Sequence, residues 1–303
     1  MVISVFFKRC GYVFLVASAL TMSACSNKAV NGDVAGGTDS VVVDSAATAI
    51  IKDIGADSLK TDTVSYDKEE GIYKLGLWVK YPVAGGDSVV KAVREFINDY
   101  LGGAYEGPLD DGRKMLKENG EMMWGRFQEM CGDADPEEVN ELFLNKMVNK
   151  DYETSLFVTF MAFTSHYTGG LHGMAVETGH TFSKLNGKCF CYDMMKDLDS
   201  PAFKRLIKEG LRTFFSNEGD EQGMSDEDLK EELVSFGGSI DELPLPDSEP
   251  YMTKIGVTFI YQPYEISYYA AGRPEFTIPY DVVIPYLKPQ TIELFLGEKA
   301  AKR

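Results

Sequence analysis

The sequence predicts an α+β fold, a largely antiparallel β-sheet with helices packed on one face. Three observations carry that expectation. Extended apolar runs come in pairs around Gly169-Gly170 and Asn186-Gly187, as hairpins do. Stretches such as Ser88 to Leu101 repeat apolar residues at helical spacing. Strands joined by hairpins pair antiparallel, and amphipathic helices need a face to cover. At about 240 residues the folded part is one domain or two smaller subdomains.

Val64 to Val83 reads as strand material. Ile72, Leu75, Leu77 and Val79 stand amid Tyr73, Trp78 and Tyr81, and Pro82 and Gly85-Gly86 stop the run. In the following helix Val89, Val90, Val93, Phe96, Ile97 and Leu101 recur on one face, Asp87 or Ser88 caps the start, and Gly102-Gly103 ends it. Leu109 to Met130 is a second helical region, broken near Gly120. Asp135-Pro136-Glu137-Glu138 reads as a helix start, with that helix running toward Val148.

Leu156 to Phe163 and Ala175 to Phe182 then form a hairpin around Gly169-Gly170, and a second hairpin turns at Asn186-Gly187, between Thr181 to Leu185 and Lys188 to Tyr192. Pro201 opens a helix through Phe214 or Phe215, with Phe203, Leu206, Ile207, Leu211 and Phe214 on one face. The stretch Ser216 to Pro250 is acidic, with a capped helix near Ser225. It lacks the Asp-x-Asp-x-Asp-Gly loop of a calcium site and reads as a solvated acidic face. Ile255 to Tyr261 and Glu275 to Pro279 are strands, and Tyr280 to Leu287 is a short helix.

The first residues read as a secretory signal. Lys8 and Arg9 precede the apolar run Val13 to Leu20, and Met22-Ser23-Ala24 precedes Cys25. A cysteine at that place looks like a lipoprotein box with Cys25 lipidated; an ordinary cleaved signal is the alternative. Ser26 to Asp62 reads as a flexible tether. The organisation expected is therefore a signal peptide (1–24), a tether (25–62), an N-terminal α+β region (63–150), a C-terminal domain (151–292) and a tail (293–303). Such a protein is anchored to a membrane through lipid and faces the periplasm.

The formal charge is −17 on 303 residues. Loss of the leader removes Lys8 and Arg9 and no acid, so the mature chain is more acidic still. That balance excludes nucleic acid as a partner and permits a cationic one. Of five cysteines, Cys10 leaves with the leader and Cys25 is lipidated, which leaves Cys131, Cys189 and Cys191. An odd count is no closed disulfide framework. Cys189 and Cys191 share one strand face, where one could pair with Cys131 or both could be small buried residues.

All three histidines fall in one tract, His166, His172 and His180. A zinc site is the sharp reading, but an extended chain at ~3.3 Å per residue holds His172 and His180 about 26 Å apart. No His-Glu-x-x-His, Gly-x-Ser-x-Gly, Gly-x-Gly-x-x-Gly or phosphate loop occurs. No catalytic residue, metal ligand or cofactor is therefore assigned. The bland reading of His172 is an imidazole bonding the turn backbone.

Tyr167-Thr168-Gly169-Gly170-Leu171-His172-Gly173 is similar to a Tyr-Thr-Gly-Gly-Ala-His-Gly motif of the RsiV/PdaC-like family of bacterial extracytoplasmic domains. Tyr264-Glu265-Ile266-Ser267-Tyr268-Tyr269-Ala270-Ala271-Gly272 resembles the family's Tyr-Glu-Ile-x-x-Tyr-Ala-x-Gly motif, and Thr277 to Tyr280 and Pro285 to Leu287 its closing strand and helix. The likeness covers about residues 150 to 290 of this chain, with Leu171 where alanine is usual. It implies an envelope lipoprotein that recognises an envelope protein, a cationic protein such as lysozyme, or a peptidoglycan fragment. Tyr167, Thr168, Gly169, Gly170, His172, Tyr264, Tyr268, Tyr269 and Gly272 are the candidate binding residues, because tyrosine offers both area and a polar tip. A cell-wall hydrolase or deacetylase using His172 with carboxylates or a metal is one alternative. A structural lipoprotein without a small ligand is the other.

Overall fold

The computed structural model describes residues 58–132, 139–216, 224–233, 236–297 and 300. The expected signal, Cys25 and most of the tether lie outside these residues. No described helix is long and apolar enough to cross a membrane.

The chain begins with the hairpin β1 (Lys60–Glu70) and β2 (Tyr73–Ala84), so the last residues assigned to the tether are strand. The helices α1 (Asp87–Tyr100) and α2 (Gly112–Cys131) follow, then β3 (Leu142–Glu153), β4 (Phe157–Tyr167) and β5 (Met174–Ser183). These strands form a sheet in sequence order, antiparallel except for β2 and β3. A parallel pair needs a long crossover, which α1 and α2 supply. Both helices lie on one face, with Val89, Val93, Ile97, Met115, Leu116 and Phe127 buried against Leu75, Leu77, Val79, Val148 and Phe160.

The second half holds α3 (Pro201–Phe215), α4 (Asp226–Glu232) and the antiparallel sheet β6 (Tyr251–Met252), β7 (Gly256–Ile260) and β8 (Glu275–Pro279). It closes with α5 (Tyr280–Val283) and α6 (Pro289–Leu296). Phe203, Ile207, Leu211, Val257, Phe259, Phe276 and Phe295 form its core. The two cores meet at β4 and β5. Thr159 Oγ1 donates to the Met252 carbonyl at 2.7 Å, and Met252 N–H donates to Thr181 Oγ1 at 2.8 Å. The architecture is α+β with two sheets, as the hairpin and helix patterns imply.

Several elements depart from the sequence reading. The expected helix start at Asp135 to Glu138 lies outside the described residues, and the stretch toward Val148 is strand, β3 from Leu142. Leu142, Leu144 and Val148 alternate inward, but Phe143 and Met147 on the opposite face mask the period of two. Helix α2 passes through Gly120 unbroken; there the absent side chain lets the Tyr66 ring of β1 approach. Helix α1 is preceded by Gly86 and has no side-chain cap, whereas α3 and α4 are capped by Ser200 and Ser225. The Asn186-Gly187 hairpin shrinks to one bridge, Phe182 to Cys189, and Cys191 leads into a turn of 3-10 helix, so the two thiols do not share a strand. No disulfide joins Cys131, Cys189 and Cys191. Residues 293–296, expected in a tail, complete α6 with Phe295 and Leu296 buried.

Glu153 at the end of β3 fastens the start of the fold. Its carboxylate accepts from Ser58 Oγ at 3.0 Å and Leu59 N–H at 2.7 Å, and pairs with Lys150 and Lys184, each at 2.5 Å. Burial pushes this carboxyl upward, but the two ammonium groups and the backbone bond outweigh it and hold the group below the usual carboxylate range.

Candidate functional site

The β4–β5 hairpin carries its turn beyond the sheet. Gly169 and Gly170 adopt φ of 96° and 99°, a region closed to most side chains, and the Tyr167 hydroxyl donates to the Gly170 carbonyl at 2.8 Å. Leu171 at the tip is 68% exposed. His172 folds back toward the loop between β7 and β8. Its ring stacks on Tyr269 at 4.0 Å between centroids, and its Nε2 lies 3.0 Å from the Tyr264 hydroxyl. Nδ1 meets the Gly173 carbonyl at 2.9 Å, and the Tyr269 hydroxyl donates to that same carbonyl at 2.9 Å. Both ring nitrogens of His172 are thus engaged.

Tyr264 is held at φ 70°, unusual for a bulky residue and a form of stored backbone strain. Its ring lies 5.6 Å from that of Tyr269, and Tyr264 is 45% exposed. His172, Tyr264 and Tyr269 therefore make a small stacked cluster joining the two halves of the fold. Gly272 closes the loop at φ 75°.

The remaining candidates divide. Tyr167 and the two glycines shape the turn; Thr168 stands half-buried beside them. Tyr268 leaves the cluster, since its hydroxyl donates to Glu232 of α4 at 2.9 Å. His166, on β4, is lowered in pKa by desolvation. His180 packs under Phe96 of α1 at 4.2 Å, and desolvation pushes it down to about 4. The three histidines thus serve three different neighbourhoods. Among the described residues no three His, Cys, Asp or Glu side chains group to hold a metal ion.

The residues that support the cluster were not singled out from the sequence. Gln262 exchanges hydrogen bonds with Glu177 of β5 as a neighbouring strand would: Glu177 N–H donates to Oε1 at 3.2 Å and Nε2 donates to the Glu177 carbonyl at 2.8 Å. Arg273 reaches back to the Glu177 carboxylate at 2.8 Å and lies over the Phe163 ring. Glu265 accepts from Gln262 N–H and Asp247 N–H, both at 2.7 Å. Burial raises its carboxyl to about 7 despite those two bonds, with Asp247 adding to the rise.

A family model described as a protein of unknown function, DUF3298, matches residues 193–281. That span contains Tyr264 and Tyr269 but not the hairpin tip. A search of curated proteins found no match. The fold is similar to that of a DUF3298 family member from Bacteroides fragilis NCTC 9343, with a TM-score of 0.64 and 20% identity over 80% of this chain and 98% of that one. It is also similar to a DUF3298 family protein from Pseudomonas aeruginosa PAO1, with a TM-score of 0.55 and 17% identity over 80% of this chain and 99% of that one. The chain thus carries a DUF3298 match over residues 193–281 and is similar in fold to two solved proteins of that family.

Proposed function

We propose that this chain is a non-enzymatic recognition module of the bacterial cell envelope. In this reading it is anchored through a lipid on Cys25, faces the periplasm and belongs with the RsiV/PdaC-like extracytoplasmic domains. Its ligand is an envelope protein or a peptidoglycan-derived fragment. The observation that carries the reading is the meeting of His172 with Tyr264 and Tyr269. The two motifs behind the resemblance come from distant parts of the chain, yet they build one stacked cluster. Tyr264 and Leu171 stay exposed beside it, offering apolar area next to polar tips. The strained Tyr264 backbone fits a residue held ready for contact rather than for packing.

The test is a pull-down with the purified chain immobilised and exposed to muropeptides and, separately, to a cationic lysozyme. Saturable binding to either, lost in Tyr264→Ala and His172→Ala, supports the reading. Binding equal in wild type and both variants, or binding to neither probe, counts against it.

A further inference from the structure

Five large side chains lie on the sheet face turned away from α1 and α2 and belong to neither core: Trp78, Phe143, Met147, Met161 and Phe163. The strand register sets Trp78, Met147 and Phe163 in one row and places Asp67, Gly76 and Asn145 side by side in the next. Gly76 is buried because the indole of Trp78 lies flat on it; a methyl group there would run into the six-membered ring. Trp78 itself stays part-exposed.

The charges around this platform lean acidic. Lys74 is paired with Glu141 at 2.6 Å and Arg273 with Glu177 at 2.8 Å, while Lys80, still charged as it bonds Thr63 Oγ1 at 2.8 Å, is one cation against the two acids Asp67 and Glu69. Asp67 stands exposed next to Gly76, its carboxyl raised by partial desolvation and then by Glu69. The field on this face therefore repels acidic ligands and accepts neutral or amine-bearing ones.

We propose that this face is a saccharide site, in which the Trp78 indole stacks on the C–H face of a pyranose ring and Asn145 and Asp67 bond its hydroxyl and amide groups. A pyranose presents an apolar face rimmed by hydroxyls. One flat ring beside an amide and a carboxylate is the complement of that pattern. The charge balance selects uncharged or amine-bearing hexosamine chains and rejects uronic or phosphorylated ones. The inference rests on the recognition reading only in assigning binding rather than catalysis, and its contacts are Trp78, Asn145 and Asp67 rather than His172, Tyr264 and Tyr269.

Intrinsic fluorescence tests it directly. The chain has two tryptophans, and Trp124 is 4% exposed, so a soluble quencher reports on Trp78. The purified chain is titrated with a neutral N-acetylglucosamine tetramer in the presence of acrylamide. The expected result is saturable protection of Trp78 in wild type and in Tyr264→Ala. Affinity measured calorimetrically falls at least about tenfold in Trp78→Leu, and also falls in Gly76→Ala, which moves the indole without removing it. Absence of protection up to the solubility limit overturns the proposal, as does protection by a protein alone with no effect of the sugar. Binding lost in Tyr264→Ala but kept in Trp78→Leu overturns it too, while leaving the His172 cluster as the recognition surface.

Discussion

The imidazole of His172 and the phenol of Tyr269 stack at 4.0 Å with their planes 22° apart, one ring from the β4–β5 turn and the other from the loop after β7. With the Nε2 contact to Tyr264, this is the outermost tie between the two halves of the fold. His172→Ala should cost about 1 kcal/mol, the worth of an aromatic pair at a largely open position. Urea denaturation measures the loss. Hydrogen exchange at the hairpin tip should rise while exchange at Phe160 in the core of β4 stays unchanged.

Glu265 should make stability fall with rising pH. Its folded pKa is raised to about 7, so the folded state binds the proton more tightly than the unfolded chain does. Its contribution is complete below the ordinary glutamate range and lost as pH rises through about 7. Thermal melts from about pH 5 to 8 should show the decline in wild type and a flatter profile in Glu265→Gln. An unchanged slope in the variant would remove Glu265 as the cause.

Lys146 acts in the opposite sense at higher pH. Its Nζ donates to the Tyr100 carbonyl at 2.6 Å, and desolvation lowers its pKa to about 8. The folded state sheds this proton before the unfolded chain does, so stability rises between about pH 8 and the ordinary lysine range. Lys146→Met should stabilise the protein by about 1 kcal/mol near neutral pH, and the gain should vanish in alkaline buffer. Chemical denaturation at two pH values decides it.

Glu153→Ala should be the most damaging single change among these. It removes a carboxylate that is 4% exposed and shared by Lys150 and Lys184, and releases the backbone of Leu59. Loss of one partner from a buried ion pair costs about 3 kcal/mol or more. Because the folded carboxyl is held below its usual range, the stabilisation is present above that range and disappears as pH falls through the lowered value. An acid titration followed by circular dichroism should show wild type losing its lead over the variant in acid.

Much of the fold was legible because it is written in local chemistry. Gly169-Gly170 marks a turn that only positive φ allows, and Ser200-Pro201 or Ser225 with Asp228 announce helices through their caps. β3 was misread because Phe143 and Met147 face the open side of the sheet while Leu142 and Leu144 face the core, so both faces are apolar and alternation vanishes. The site was half legible. His172, Tyr264 and Tyr269 stood out as residue types, but Tyr268 resembled them in sequence and turns instead to Glu232. Gln262 gave no signal, because its work is to bond the backbone of Glu177, and that partner depends on tertiary placement alone.

Strand β4 has a consequence for how the molecule comes apart. Val158, Phe160 and Ala162 point into one core, and the alternate position Phe157 points into the other. A single strand is thus a party wall with both sides occupied. Melting either half strips one side of that wall, so the halves should lose structure in a single transition, with no half-folded species that leaves the hairpin tip in place.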